Sequence, residues 1–207
     1  MLRRKTRIAV LVSGGGTNLQ ALLDAEKAGK LPSGEIALVV SNVRGAYALT
    51  RAADAGVPAL TLTKKDCGGQ AGFEAALTAA LTEAEIDLII LAGFLSILSA
   101  DFTAKYPERI LNIHPSLIPS FCGEGFYGLK VHEAALRYGV KVTGATVHYV
   151  NEIPDGGKIL LQKAVDILPD DTAETLQRRV MEQAEWILLP QAAELVSAKL
   201  QKEKASE

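Results

Sequence analysis

The sequence predicts an α/β fold, a single Rossmann-like domain in which a mostly parallel, seven-stranded sheet is flanked by helices. Short runs rich in Val, Ile and Leu are apolar on both faces and alternate with segments of helical periodicity. The last two runs are joined only by the turn NEIPDGGK, which favours antiparallel pairing of the final strands. A length of 207 residues suits one large domain, so we assign 1–207 to a single unit.

The elements follow one another in strand–helix order. We predict strands at 7–12, 36–41, 59–62, 87–92, 109–113, 144–150 and 159–165. We predict helices at 17–29, 46–55, 72–84, 99–105 and 130–138, and a long one at 172–198. Residues 199–207 are strongly charged, and we expect this tail to fray.

Composition excludes several classes of function. The formal net charge is −2, so no basic excess is available to neutralise nucleic-acid phosphates. No apolar run approaches the ~20 residues that span a bilayer, and IAVLV is too short for a signal-peptide core. Cys67 and Cys122 lack the spacing of a metal site and are far apart in sequence. We therefore expect a cytoplasmic protein without nucleic-acid or membrane partners, disulfide or metal.

A glycine-rich loop follows the first strand. In SGGGTN, Gly16, Thr17 and Asn18 lead into a helix, whose free N–H groups attract anions. The loop is not a GxGxxG motif, because Leu19 occupies the last glycine position, and it lacks the Lys of a Walker A loop. We interpret it as a phosphate site. The alternative is a tight strand-to-helix turn with Thr17 as the helix cap.

Two polar side chains end the fifth strand. Asn112 and His114 have the same parity, so both should project from one face of the sheet. Pro115 favours an extended backbone at His114, and Pro119 stiffens the exit loop. Ligands of open α/β sheets bind at the carboxyl ends of strands, which favours a catalytic role. The alternative is a buried pair that backbone groups satisfy.

A carboxylate follows the next strand. Asp155 lies in the turn after strand 144–150, which we expect at the same sheet edge as His114, although Asp-Gly is also a common turn former. We interpret His148 as a structural residue in or under the site, and His132 as a helix residue. Cys122 is the only rival nucleophile and lacks a base in its own segment, so direct transfer between two bound substrates is favoured.

Five segments together carry a family resemblance. They are SGGGTNLQALLDA, SNVRGAYALTRAADAGVP, LAGFLSILS, LNIHPSLIPSF and GATVHYVNEIPDGG. In this order and spacing, over about residues 7–190, they resemble the phosphoribosylglycinamide formyltransferase branch of the folate-dependent formyltransferases. The branch is expected to transfer a formyl group from 10-formyltetrahydrofolate, a co-substrate, to the glycyl amine of glycinamide ribonucleotide in purine biosynthesis. We expect neither the tRNA-binding domain of methionyl-tRNA formyltransferases nor the regulatory domain of formyltetrahydrofolate deformylases.

The resemblance also implies roles for residues. Residues 1–105 would bind the ribonucleotide, whose phosphate lies on Gly16, Thr17 and Asn18. Residues 106–198 would bind folate and carry the catalytic residues Asn112, His114 and Asp155. Folate contacts are expected from Leu95, Ser96, Ile97, Leu98 and Asn112. Asn112 and His114 would stabilise the tetrahedral intermediate, while Asp155 would orient His114, raise its pKa and help to move a proton. No metal is required, and a monomer or homodimer is expected.

This chain departs from the family pattern in three places. Ser96 stands where many members have Arg, and the 119–128 loop is longer than usual. Three glycines in this loop or at its end make it our candidate for mobility. One extra residue between Val and Pro near the C-terminus leaves either Glu185 or Glu182 as the ribonucleotide contact. Two rival functions are a non-enzymatic phosphate-sensing module and a deformylase that uses water as acceptor.

Overall fold

Seven strands form one sheet in the computed structural model, which describes residues 4–205. The strands are β1 (Thr6–Val12), β2 (Gly34–Ser41), β3 (Ala59–Thr61), β4 (Leu88–Leu91), β5 (Ile110–His114), β6 (Val142–Tyr149) and β7 (Ile159–Asp166). Each overlaps a predicted strand. The spatial order is β3-β2-β1-β4-β5-β6-β7, which confirms the predicted fold class.

Strand direction changes at one end of the sheet. Strands β1 to β5 are mutually parallel, whereas β6 is antiparallel to both β5 and β7. In the β5–β6 register, His114 pairs with Thr146 and Leu111 pairs with Tyr149. The carboxyl end of β6 therefore lies at the sheet edge opposite to the carboxyl end of β5. The expectation that the turn after β6 begins at the same edge as His114 is wrong.

Helices cover both faces of the sheet. They are α1 (Thr17–Lys27), α2 (Tyr47–Asp54), α3 (Gln70–Glu83), α4 (Ala100–Thr103), α5 (Leu129–Tyr138), α6 (Ala173–Val180) and α7 (Trp186–Glu203). Strand alternation separates two cores: Val10 packs with Leu22 of α1 and Leu189 of α7, whereas Leu11 packs with Phe73 of α3. None of the helices in residues 4–205 is long and apolar enough to cross a membrane.

The C-terminal helix differs from its prediction. The expected single helix over 172–198 is α6 and α7 joined by a π-helical segment, Met181–Glu185. This segment agrees with the extra residue that the family resemblance indicated, because an α-helix can absorb one additional residue as a wider π turn. Residues 199–203 belong to α7, and Lys199 pairs with Glu108, while the fraying of the tail stays a prediction. Residues 206 and 207 of the predicted tail lie outside the described range.

Candidate active site

The loops after β1 and β4 meet at the switch point of the sheet. From β1 the chain runs outward to β2 and β3 and then returns to β4 on the other side of β1, and such a reversal is a place where these sheets bind ligands. The backbone N–H of Ser13 donates to the Gly93 carbonyl at 3.1 Å. The Leu95 N–H donates to the Ser13 hydroxyl at 2.8 Å. The glycine loop and the predicted folate loop are therefore directly hydrogen-bonded.

The glycine loop presents a helix start that no side chain caps. Gly16, the residue before α1, has a φ of 71°, and a Cβ there would lie 2.6 Å from the Ala48 Cβ, so glycine is required. The alternative of a Thr17 cap is wrong, because the Thr17 hydroxyl donates to the Met181 sulfur at 3.7 Å. A Cβ on Gly15 would meet nothing within 4 Å, so the loop is open on that side. This geometry suits a bound anion.

Asn18 and Glu185 form a buried pair beside this loop. The Asn18 Nδ2 donates to the Glu185 Oε2 at 2.7 Å. Burial raises the pKa of Glu185 to about 7, although the Asn18 hydrogen bond opposes the shift. Glu182 is exposed and pairs with Arg178 at 2.8 Å. Of the two acids left open by the sequence, the structure brings Glu185 to the glycine loop.

The four predicted folate-loop residues differ in exposure. Leu95 and Ile97 are 63% and 60% exposed and offer apolar surface, and Ser96 is half-buried. Leu98 instead packs in the core that contains Phe73, so it supports the loop rather than adding to that surface.

A buried carboxylate that sequence reasoning missed anchors the far end of this loop. Glu74 of α3 accepts the Ser99 N–H at 2.7 Å and the Ser99 hydroxyl at 2.6 Å. The Gln70 amide donates both to Glu74 and, at 3.1 Å, to the Ile97 carbonyl. Burial raises the pKa of Glu74, but these hydrogen bonds outweigh it and hold the pKa below its usual value. The sequence signal that could have indicated this residue is a single acid, Glu74, on the apolar face of the predicted helix 72–84.

Asn112 and His114 lie on one face of β5, as their parity predicted. His148 pairs with Asn112 across the strands, and the Asn112 Nδ2 lies 3.1 Å from the His148 Nε2. The His148 Nδ1 donates to the Tyr149 carbonyl at 2.8 Å, which leaves Nε2 as the acceptor for Asn112. His148 therefore contacts the candidate catalytic residues directly.

Asp155 reaches these residues from the opposite edge. The segment after β6 folds back over the sheet face, and Asp155 adopts a φ of 54°. Its Oδ2 lies 3.5 Å from the His114 Nδ1 and accepts the Gly123 N–H at 2.8 Å. Its Oδ1 lies 3.3 Å from the Asn112 Nδ2 and 3.5 Å from the His148 Nε2. The structure thus brings together all three predicted catalytic residues.

The cluster holds a neutral imidazole against an ionised carboxylate. Burial lowers the pKa of His114 below its usual value, and this effect outweighs the Asp155 charge, which raises it. Asp155 thus raises the pKa of His114 as expected, but burial is the larger effect and the pKa lies below its usual value. Burial raises the pKa of Asp155, but the His148 and His114 imidazoles beside the carboxylate and the hydrogen bond from the Gly123 N–H outweigh it, so the pKa is lowered.

The long 119–128 loop completes this cluster through its backbone. The Phe121 carbonyl, at a residue with a φ of 50°, accepts the His114 Nε2–H at 2.9 Å. Together with the Gly123 N–H, it contacts both His114 and Asp155. The bond at Nε2 leaves the Nδ1 lone pair of neutral His114 on the Asp155 side, where it can accept a proton.

Two further residues take no direct part in this cluster. Cys122 donates to the Pro119 carbonyl at 3.3 Å, and both burial and the Asp155 charge raise its thiol pKa, which makes it a poor nucleophile. His132 of α5 is fully buried, and burial, followed by the charge of His114, lowers its pKa to about 4.

Known proteins resemble nearly the whole chain. The formyl transferase family matches residues 6–192. The chain is 42% identical over 177 residues to the phosphoribosylglycinamide formyltransferase of Haemophilus influenzae, covering 86% of this chain and 81% of that one. It is 43% identical over 196 residues to the human trifunctional purine biosynthetic protein adenosine-3, covering 95% of this chain. The chain spans only 14–19% of the length of such trifunctional relatives.

A solved structure shares the fold. The glycinamide ribonucleotide transformylase 1 of Symbiobacterium toebii superposes with a TM-score of 0.87 at 42% identity, covering 94% of this chain and 89% of that one.

Proposed function

Because this chain belongs to the formyl transferase family, we propose that it transfers a formyl group from 10-formyltetrahydrofolate to the glycyl amine of glycinamide ribonucleotide, a step of purine biosynthesis. The names of the Haemophilus influenzae and Symbiobacterium toebii proteins support this choice of acceptor. The observation that carries the chemistry is the 3.5 Å approach of a buried, neutral His114 Nδ1 to an ionised Asp155.

His114 serves as the proton carrier in this proposal. When the glycyl amine attacks the formyl carbon, the amine nitrogen must lose a proton, and the His114 Nδ1 accepts it. Asp155 stabilises the imidazolium so formed, because an opposite charge at this distance favours the charged form. The proton then passes to nitrogen 10 of tetrahydrofolate as its bond to the formyl carbon breaks. Acid–base transfer of this kind contributes about 10²–10⁴ in rate.

Asn112 stabilises the negative formyl oxygen of the tetrahedral intermediate. Both of its amide hydrogens have acceptors here, the His148 Nε2 at 3.1 Å and the Asp155 Oδ1 at 3.3 Å. The formyl oxygen replaces the longer contact, so the amide stays oriented by His148 while it donates to the intermediate. Losing one such donor costs ~3 kcal/mol in comparable sites.

The ribonucleotide binds across the glycine loop. The uncapped N–H groups at Gly16, Thr17 and Asn18 hold its phosphate. The Asn18 side chain is occupied by Glu185, so Asn18 offers its backbone N–H to the phosphate while Glu185 contacts the remainder of the ribonucleotide.

The formyl-folate lies against Leu95, Ser96 and Ile97, which Leu98 supports from the core, and reaches Asn112. Leu95 and Ile97 supply the exposed apolar contact surface. The cytoplasmic location and the monomeric or homodimeric state stay predictions, as does the division of roles between residues 1–105 and 106–198.

Turnover of 10-formyltetrahydrofolate with and without glycinamide ribonucleotide tests the function. We expect tetrahydrofolate to appear only when the ribonucleotide is present. Equal rates of tetrahydrofolate formation with and without the ribonucleotide would show that the protein is a deformylase and not a transferase. Ribonucleotide binding without turnover would favour a phosphate-sensing module.

A further inference from the structure

A buried hydroxyl, beside one backbone hydrogen bond, connects the two proposed substrate loops. Ser13 directly follows β1, precedes the three glycines and is only 8% exposed. We propose that Ser13 is a positioning residue that couples the two substrate sites, so that each substrate strengthens the binding of the other. The inference rests on the proposed function, since it needs the glycine loop to hold the ribonucleotide and the 93–99 loop to hold the folate.

Three hydrogen bonds hold Ser13, and two of them orient its hydroxyl. Its Oγ donates to the Asn42 Oδ1 at 2.6 Å, which directs a lone pair to the Leu95 N–H at 2.8 Å. Its backbone N–H donates to the Gly93 carbonyl at 3.1 Å. Leu95 is the most exposed apolar residue of the folate loop, so its backbone position determines where that apolar surface lies.

The other side of Ser13 continues into the glycine loop. The Gly14 carbonyl accepts the Ala48 N–H at 3.1 Å, and the Gly15 carbonyl accepts the Arg51 Nε at 2.8 Å. These two bonds involve only the carbonyl groups of the glycines. A Cβ atom on Gly14 or Gly15 would meet nothing within 4 Å, so there is open space in which the loop can adjust. A phosphate bound there orders the glycines and, through the chain, Ser13. When one ligand has already ordered the loop, the second ligand loses less conformational entropy on binding. Each ligand therefore strengthens the binding of the other, which is positive coupling.

The far end of the folate loop supplies a matched control. Ser99 is bound to Glu74 of α3 and has no hydrogen bond to the glycine loop among the described residues. Ser13 and Ser99 thus hold opposite ends of the same loop, yet only Ser13 also belongs to the ribonucleotide side. Their alanine variants separate coupling from simple support of the folate loop.

Calorimetric binding of tetrahydrofolate, with and without saturating glycinamide ribonucleotide, measures the coupling without turnover. For the wild type we expect at least about fivefold tighter binding with the ribonucleotide present. In Ser13→Ala we expect this ratio to fall to within about twofold of one, because the side-chain bond to the Leu95 N–H is lost and only the backbone bond to Gly93 remains. In Ser99→Ala we expect weaker tetrahydrofolate binding with a wild-type ratio. Linkage requires the same ratios for ribonucleotide binding with and without tetrahydrofolate.

Three results would overturn the coupling: a wild-type ratio of one, a wild-type ratio retained in Ser13→Ala, or an equal loss of ratio in both variants. Thermal unfolding checks that the variants fold, and Ser13→Cys replaces Ser13→Ala if alanine does not. A wild type that turns over only with the ribonucleotide but shows no Ser13 effect refutes the coupling alone. A wild type without such turnover refutes the proposed function.

Discussion

Replacing Asp155 by asparagine isolates the charge of the active-site carboxylate. The side chain keeps its size and an oxygen that can accept the Gly123 N–H, but it no longer attracts a protonated His114. At 3.5 Å and an effective dielectric constant near 20, that attraction is about 5 kcal/mol. Residual solvent access to the Asp155 side chain, which is 13% exposed, reduces this to about 3–4 kcal/mol. We expect kcat to fall by about 10²–10³.

The pH profile gives a second, sharper result. The Asp155 charge raises the pKa of His114, against the larger lowering by burial. Without that charge the pKa of His114 falls further, so the acid limb of the kcat profile should move to lower pH in Asp155→Asn. The residual rate is measured from pH 5 to 8 as tetrahydrofolate formation.

An exposed acid on α2 provides the control. Asp54→Asn makes the same chemical change away from the cluster, and we expect wild-type kcat and pH profile. An Asp155→Asn variant with near-normal kcat, or an acid limb that moves to higher pH, would refute the assigned role.

Three further predictions test neighbouring parts of the structure. His114→Ala should lower kcat by about 10³ with a wild-type circular-dichroism spectrum, and a near-normal rate would remove His114 from the mechanism. Burial raises the pKa of Glu185 in the folded state from 4.5 to about 7, so the stability that this residue contributes below pH 4.5 is lost as the pH rises to 7. Between pH 4.5 and 7.5, the free energy of unfolding of Glu185→Gln in urea should therefore rise by about 3 kcal/mol relative to that of the wild type. A difference that does not depend on pH would contradict the buried carboxylate. Gly16→Ala should lose about 2–3 kcal/mol in urea unfolding, because its Cβ would meet Ala48 at a φ of 71°, while Gly15→Ala should stay within about 0.5 kcal/mol; equal losses would contradict this account.

Local pattern was sufficient for the elements and for one face of the site. All seven strands were predicted, because runs that are apolar on both faces are typical of a covered parallel sheet. The parity of Asn112 and His114 predicted their common face, since side chains alternate strictly along a strand. The glycine loop was predicted to follow a strand and to begin a helix, and it does.

Other features depended on distant parts of the chain. The turn with Asp155 was assigned to the wrong edge, because strand direction is set by pairing and no local pattern states that β6 opposes β5. The structure places Glu185, at the end of the π-helical segment, beside the glycine loop, whereas the spacing indicated only one extra residue. Glu74 was missed because the partner that makes it more than a helix acid, Ser99, is 25 residues away.

The sequence by itself therefore determined the fold class, the order of the elements and the residue types available at each strand end, because these depend on local periodicity and on backbone preferences. Only the tertiary structure decided which groups meet and in what protonation state. Asp155 lies beside His114 because the segment after β6 folds back across the sheet, and the pKa of His114 is lowered because burial there outweighs the neighbouring charge. Both are consequences of packing between distant segments, which set the distances and the solvent exposure on which the proposed chemistry depends.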